Sequence, residues 1–249
     1  MFVAASTECY SHMSLVDALD KLNDLEYRST EISIRESGDQ IKPSQVLASV
    51  EDAITLCRDT HRLDLAGFAV DISATGDEHY AQFEACCRLA KATKVISMSI
   101  PSAELGTPFN EEVEHLRRLV DMAQKEGVLV SIRTQVGRLS EDPDTCVVIC
   151  DNVKGLGVTL DPSTFVCGPH AGRDYEKLMK YTYNVHLRDS SKDEHQVRVG
   201  QGVIEYGKLV NQLRRVKYGR SYCVNMQPMD GLDHDSEMRK IRLLLESLL

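Results

Sequence analysis

Two apolar runs in this chain stop abruptly at side chains that could do chemistry. Leu156-Gly157-Val158-Thr159-Leu160 ends at Asp161-Pro162, and Val185-His186-Leu187 ends at Arg188-Asp189. A β-branched run that breaks at Asp-Pro reads as a buried strand with a functional carboxylate at its C-terminal tip. The second run brings an imidazole, a guanidinium and another carboxylate to the same kind of position. A helical segment predicted over Tyr175 to Tyr181 separates the two, so together they form a parallel βαβ unit. Parallel α/β folds bind their ligands at the C-terminal ends of the strands. Asp189 is read as the partner that orients His186, because a site histidine needs a fixed ring. Gly200-Gln201-Gly202 follows, and its N–H groups could receive an anion; the plainer reading is a turn.

Elements able to position these groups recur along the whole chain. Phe2 to Ala5, Thr30 to Ile34, Leu63 to Ile72, Val95 to Ile100, Val128 to Ile132 and Tyr222 to Asn225 read as six further strands. Helices are predicted over Leu15 to Leu25 behind a Ser14 cap, Pro43 to Cys57, Glu78 to Ala92, Phe109 to Gly127, Pro143 to Asn152, Tyr206 to Val216 and Asp235 to Leu248. Eight strands then alternate with eight helices, at about 30 residues per β-α unit. A chain of 249 residues has the usual length of one (β/α)8 barrel. The predicted fold is therefore α/β, a single TIM barrel domain with eight parallel strands over residues 1–249; an open doubly wound sheet is the runner-up. A barrel gathers strand tips at one mouth. There Glu31, Arg133 and Asn225 would join Asp161, His186 and Arg188, while Glu8 and Glu31 read equally well as loop carboxylates.

These stretches resemble the xylose isomerase-like TIM barrels, the group of sugar phosphate isomerases/epimerases and endonuclease IV-type enzymes. Leu160-Asp161, Val185-His186-Leu187-Arg188-Asp189, and Gly200-Gln201-Gly202 with Glu205-Tyr206 carry the resemblance. It implies one divalent metal at the mouth, held by Glu, Asp, His and Glu from strands five to eight, with the glutamates moving a proton on and off carbon. Such an oxygen-rich site suits Mg²⁺ or Mn²⁺. Asp161 and His186 stand at the Asp and His positions. The glutamate positions hold Arg133 and Asn225, and Thr164 replaces a histidine that usually follows the strand-six Asp.

Arginine neither ligates a metal nor serves as a base, and it repels a dication. The resemblance therefore implies a degenerate metal site, with Asp161 and His186 as residual ligand positions and no cofactor expected. Arg133 would supply the metal's positive charge, paired with Asp161 or with a bound carboxylate or phosphate. The expected ligand-binding set is Glu31, Arg133, Asp161, His186, Arg188 and Asn225, taking a small polyhydroxylated or anionic molecule. No catalytic residue is assigned. The alternative is a working isomerase or epimerase that uses Mn²⁺ or Mg²⁺ through displaced ligands, with Arg133 only at the rim.

Bulk properties bound these readings. A net charge of −9, with no dense Lys/Arg run, argues against nucleic acid as the partner. No apolar run reaches membrane-spanning length, and the N-terminus lacks the basic and apolar regions of a signal peptide. Eight cysteines without a Cys-x-x-Cys pair are expected as reduced, mostly buried thiols of a cytoplasmic protein. A homo-oligomer is compatible with the sequence. His12, His61, His79, His115, His195 and His234 read as surface or core residues, whereas His170, after Gly168-Pro169, could reach the mouth.

Overall fold

Successive side chains of a strand leave on opposite faces, so an alternating strand sorts its residues into two sets. A computed structural model describes residues 1–60 and 62–249 and places the two sets inside and outside a closed barrel. Its strands are β1 (Phe2–Ser6), β2 (Ser29–Arg35), β3 (Asp64–Asp71), β4 (Ser97–Pro101), β5 (Leu129–Arg133), β6 (Leu156–Leu160), β7 (Thr182–Leu187) and β8 (Ser221–Val224). They pair in sequence order, all parallel. β1 closes the ring on β8 from Phe2↔Ser221 to Ala5↔Val224, which excludes the open sheet. His61 lies outside the described residues.

Helices α1 (Leu15–Asp24), α2 (Pro43–Ala48), α3 (Val50–Arg58), α4 (Gly76–Ala92), α5 (Phe109–Lys125), α6 (Pro143–Asn152), α7 (Ser163–Val166), α8 (Tyr206–Arg215) and α9 (His234–Glu246) connect and close the strands. In α5 the predicted face of Val113, Leu116, Leu119, Val120 and Ala123 is buried, and Gly127 at φ 74° ends the turn beyond it. The single helix expected over Pro43 to Cys57 is two. Ser49 leaves the helical region at φ −151°, and its hydroxyl accepts the Asp52 N–H at 3.2 Å. A serine that can cap a new helix competes with continuation of the old one. The segment after Tyr175 is a 3-10 helix, Glu176–Tyr181. No helix among the described residues is long and apolar enough to cross a membrane. All eight cysteines are free, and all but Cys167 are buried.

The outward set is the apolar core between strands and helices: Ile32, Ile34, Ile132, Val158, Leu160, Val185 and Leu187 are fully buried. The inward set is polar. Asn184 on β7 hydrogen-bonds Glu31 on β2 at 2.6 Å, and β1 and β8 stand between those strands, so the bond crosses the barrel interior. Steps of two residues from Glu31 and Asn184 give Ser33 and Arg35, then His186 and Arg188. On β5 and β6 the same step joins Ser131 to Arg133 and Thr159 to Asp161. The chemistry at the mouth is thus the C-terminal continuation of a polar inner face, and a one-residue slip of any strand would bury it among the helices.

Candidate ligand site at the barrel mouth

The inner faces of the strands converge on a cavity of about 330 Å³ at their C-terminal ends, lined in part by Glu8, Arg35, Asp71, Arg133, Asp161, His186, Arg188, His195, Asn225 and Gln227. Pockets for small molecules start near 300 Å³, so this one suits a compact ligand. Clefts of 570 and 490 Å³ lie at the other end of the barrel around Arg28 and Arg242 and around Arg58 and Lys94, while a third, of 350 Å³ around Arg173 and Lys208, lies between loop and helix. None of the three gathers polar groups from several strand tips, the feature that distinguishes a barrel's site from its base. Arg133, Asp161, His186, Arg188 and Asn225 are brought together as the sequence predicts. Glu31 is not on the cavity wall; it lies beneath, 1% exposed.

Glu31 organises the floor. One carboxylate oxygen accepts Asn184 Nδ2 at 2.6 Å, and the other lies 2.7 Å from His186 Nε2. Gly67 lies alongside: a Cβ there would be tight against the Ser97 carbonyl oxygen at 3.2 Å and in ordinary contact with Glu31 Oε2 at 3.6 Å. The other ring nitrogen, His186 Nδ1, stands 3.3 Å from Asn225 Nδ2, and Asn225 Nδ2 also reaches Glu8 Oε2 at 3.4 Å. Glu8 pairs with Arg35 at 2.9 Å. Burial alone would raise the Glu8 pKa, but Arg35, Arg133 and His186 together with the Asn225 hydrogen bond hold it below the usual carboxylate value. Among the described residues, ligand-type atoms of Glu31, His186 and Cys223 lie within 4.8 Å of one another. Burial pushes the Cys223 thiol well up, and Glu31 already holds His186, so the trio is a hydrogen-bonded cluster with a protonated thiol.

Asp161 sits on the opposite wall. Thr134 locks the β5 and β6 tips together: its hydroxyl accepts the Asp161 N–H at 2.8 Å and lies 3.2 Å from the Asp161 carbonyl oxygen. One carboxylate oxygen of Asp161 accepts the Ser163 N–H at 2.9 Å and the Ser163 hydroxyl; the other lies 3.1 Å from Arg188 Nη2. The expected Arg133–Asp161 pair is therefore not formed. Arg133 reaches Asp71 on β3 instead, at 3.4 Å, and Arg188 takes Asp161. Arg133 on β5 and Arg188 beyond β7 flank β6 from its two sides, and the Asp161 carboxylate turns to the β7 side.

Asp189 does not orient His186. Its carboxylate accepts the N–H groups of Gly200 at 2.8 Å, Gly202 at 3.1 Å and Ser190 at 3.1 Å. It occupies the Gly200–Gly202 turn itself, so that turn is an internal brace with those N–H groups already taken. A Cβ on Gly202 would lie 1.9 Å from Asp189 Oδ1 and 2.6 Å from the Ser190 carbonyl oxygen. Gly202→Ala should therefore displace the loop after β7 and cost about 1–3 kcal/mol, the usual toll of overpacking; an unchanged melting temperature would refute that packing.

His170 stays outside the cavity, beside Glu141 and Asp142. His195, read as surface or core, faces into the cavity with Nε2 3.5 Å from Ser163 Oγ while its outer edge stays exposed. Partial burial, helped by nearby Arg188, lowers its pKa against the opposing pull of Asp161 and so favours the neutral imidazole. It comes from a long loop with no periodicity to reveal it. Arg35 was legible in principle, because it lies in phase with Glu31 along β2.

The sequence matches the family described as xylose isomerase-like TIM barrel over residues 19–244. No curated protein matches it. Among solved structures, a xylose isomerase-like TIM barrel protein from Mycobacterium smegmatis, in complex with magnesium, superposes with a TM-score of 0.78 at 15% identity, covering 99% of this chain and 97% of its own. D-allulose 3-epimerase from Methylomonas sp. gives a TM-score of 0.77 at 13% identity over 100% and 98% of the two chains. An L-ribulose 3-epimerase gives 0.71 at 14% identity over 100% and 96%. At these identities the likeness shows the fold, and the match along the sequence shows the family: the chain belongs to the xylose isomerase-like TIM barrels.

Proposed function

We propose that this barrel binds a small polyhydroxylated, sugar-like ligand at its C-terminal mouth without a divalent metal, its usual acid/base pair having been lost. One observation carries the reading. Both residual ligand side chains are engaged by protein groups: Asp161 by Arg188 and Ser163, His186 by Glu31 and Asn225. Mg²⁺ demands a near-octahedral shell of oxygen ligands. The remaining carboxylates on the wall, Glu8 and Asp71, each face a guanidinium. Such a donor set does not fit the ion, and this supports the metal-free reading over the metal-dependent alternative.

The wall suits hydroxyl groups instead. It alternates donors (Arg35, Arg133, Arg188, Asn225, Gln227) with acceptors (Glu8, Asp71, Asp161), and neutral His195 can serve as either. Kinship with a fold that includes sugar 3-epimerases supports the ligand class. What these residues can do is bind and orient hydroxyls.

Calorimetric titration with D-psicose and D-fructose tests the proposal. Binding should be unchanged by a chelator or by added Mn²⁺, and Asp161→Asn should weaken it about tenfold, the loss expected for one charge-assisted hydrogen bond of roughly 1.5 kcal/mol or more. Affinity that appears only with Mn²⁺ would overturn it.

A further inference from the structure

The arginines at the mouth are underused. A guanidinium carries five N–H donors and, once buried, leaves each unpaired one at a cost. The Arg133 side chain is 10% exposed, and among the described residues its one hydrogen bond is the 3.4 Å contact to Asp71, itself 40% exposed. Arg188 is 14% exposed, and its contact is the 3.1 Å approach to Asp161. Among the described residues, the Nε atoms of both are buried without a partner. Arg242, at the far end of the barrel, also has an unpartnered Nε, but its two terminal nitrogens bond Glu26 at 2.6 Å and Glu246 at 3.0 Å. Arg35 is likewise held, by Glu8 at 2.9 Å. The free donor capacity therefore concentrates on Arg133 and Arg188, and both line the same cavity.

We propose that the ligand of this mouth is an acid, a sugar-like molecule whose oxyanion, a phosphate ester or a carboxylate, is held by Arg133 and Arg188. This deepens the sugar-like reading of the site and rests on it. The paired N–H donors of a guanidinium match a group with two or more anionic oxygens, a pair of acceptors that a neutral hydroxyl cannot supply. Asp161 does not forbid the anion, because Arg188 and Ser163 already neutralise and bond its carboxylate. Asp71 is the weaker competitor for Arg133, since it is solvated and reached at long distance.

The test is calorimetric titration of the full chain with three probes: D-fructose, D-fructose 6-phosphate and D-gluconate. At least one charged probe should bind tenfold or more tightly than D-fructose, and which one does so separates a phosphate ester from a sugar acid. Arg133→Gln and Arg188→Gln should each reduce that preference to threefold or less, with D-fructose affinity changing less. Circular-dichroism melting checks that the variants fold. Should Arg188→Gln fail to fold, Arg188→Lys carries the test: it keeps the charge but loses the paired donors, and the preference should still drop. Equal binding of charged and neutral probes would overturn the acid while leaving the sugar site standing. A preference that survives both substitutions would place the anion elsewhere and also overturn it. Binding by none of the three would overturn both readings.

Discussion

Glu31→Ala should lower the stability of the barrel by roughly 2–6 kcal/mol, at about 1–3 kcal/mol for each buried partner left unpaired. Two partners are at stake, Asn184 Nδ2 at 2.6 Å and His186 Nε2 at 2.7 Å, and both residues are buried. Alanine offers neither an acceptor nor the volume of the lost side chain. Glu31→Gln should cost less, because its amide oxygen still serves one partner, although its amide nitrogen then faces a donor. Urea unfolding at neutral pH measures both variants, with a lowered midpoint at unchanged slope as the expected signature. The substitution should also loosen His186, whose ring is held from below by Glu31 and from the side by Asn225. A loss under about 1 kcal/mol would mean that water substitutes for the carboxylate, and Glu31 would then not be what fixes the floor.

Arg133→Glu with Asn225→Glu should create a response to Mn²⁺ that the natural chain should not show. The pair of changes restores carboxylates at the two positions where the resemblance expects them, beside Asp161 and the Nδ1 side of His186. Without metal the double variant should be less stable than the natural chain, because new carboxylates would crowd Glu8 and Asp71. Removing Arg133 also frees Asp71 of its partner. Mn²⁺ at a hundredfold excess over its Kd would contribute about 2.7 kcal/mol. For a barrel of this size that raises the melting temperature by roughly 5–10 °C. The single variants should respond less, since each supplies one carboxylate. Equal Mn²⁺ response in the natural chain and the double variant, with both folded, would remove Arg133 from the metal's place.

Much of the architecture was legible because it rests on short-range rules. Apolar β-branched runs of four to eight residues, separated by amphipathic helices, specify β-α units one at a time. Strand ends at Arg133, Asp161 and Asn225 were visible as polar residues terminating apolar runs. Closure through β1–β8 then put them at one mouth. Where local rules failed, a side chain competed with the expected element, as Ser49 did within the second helix.

The types and approximate positions of the site residues were determined by the sequence itself: the chain must present Arg133, Asp161, His186, Arg188 and Asn225 near strand tips, because period-two alternation and the barrel's parallel order allow no other place for them. Their partners were decided only in three dimensions. Asp161 meets Arg188 rather than Arg133, His186 rests on Glu31 from across the barrel, and Asp189 braces a turn thirteen residues later at Gly202. The first two pairings join different strands and depend on stagger between them, including the register shifts at Thr30/Glu31 and Val158/Thr159, whereas the third depends on how the loop after β7 folds back on itself. Stagger is set by how all eight strands close at once, and no single stretch of sequence encodes it.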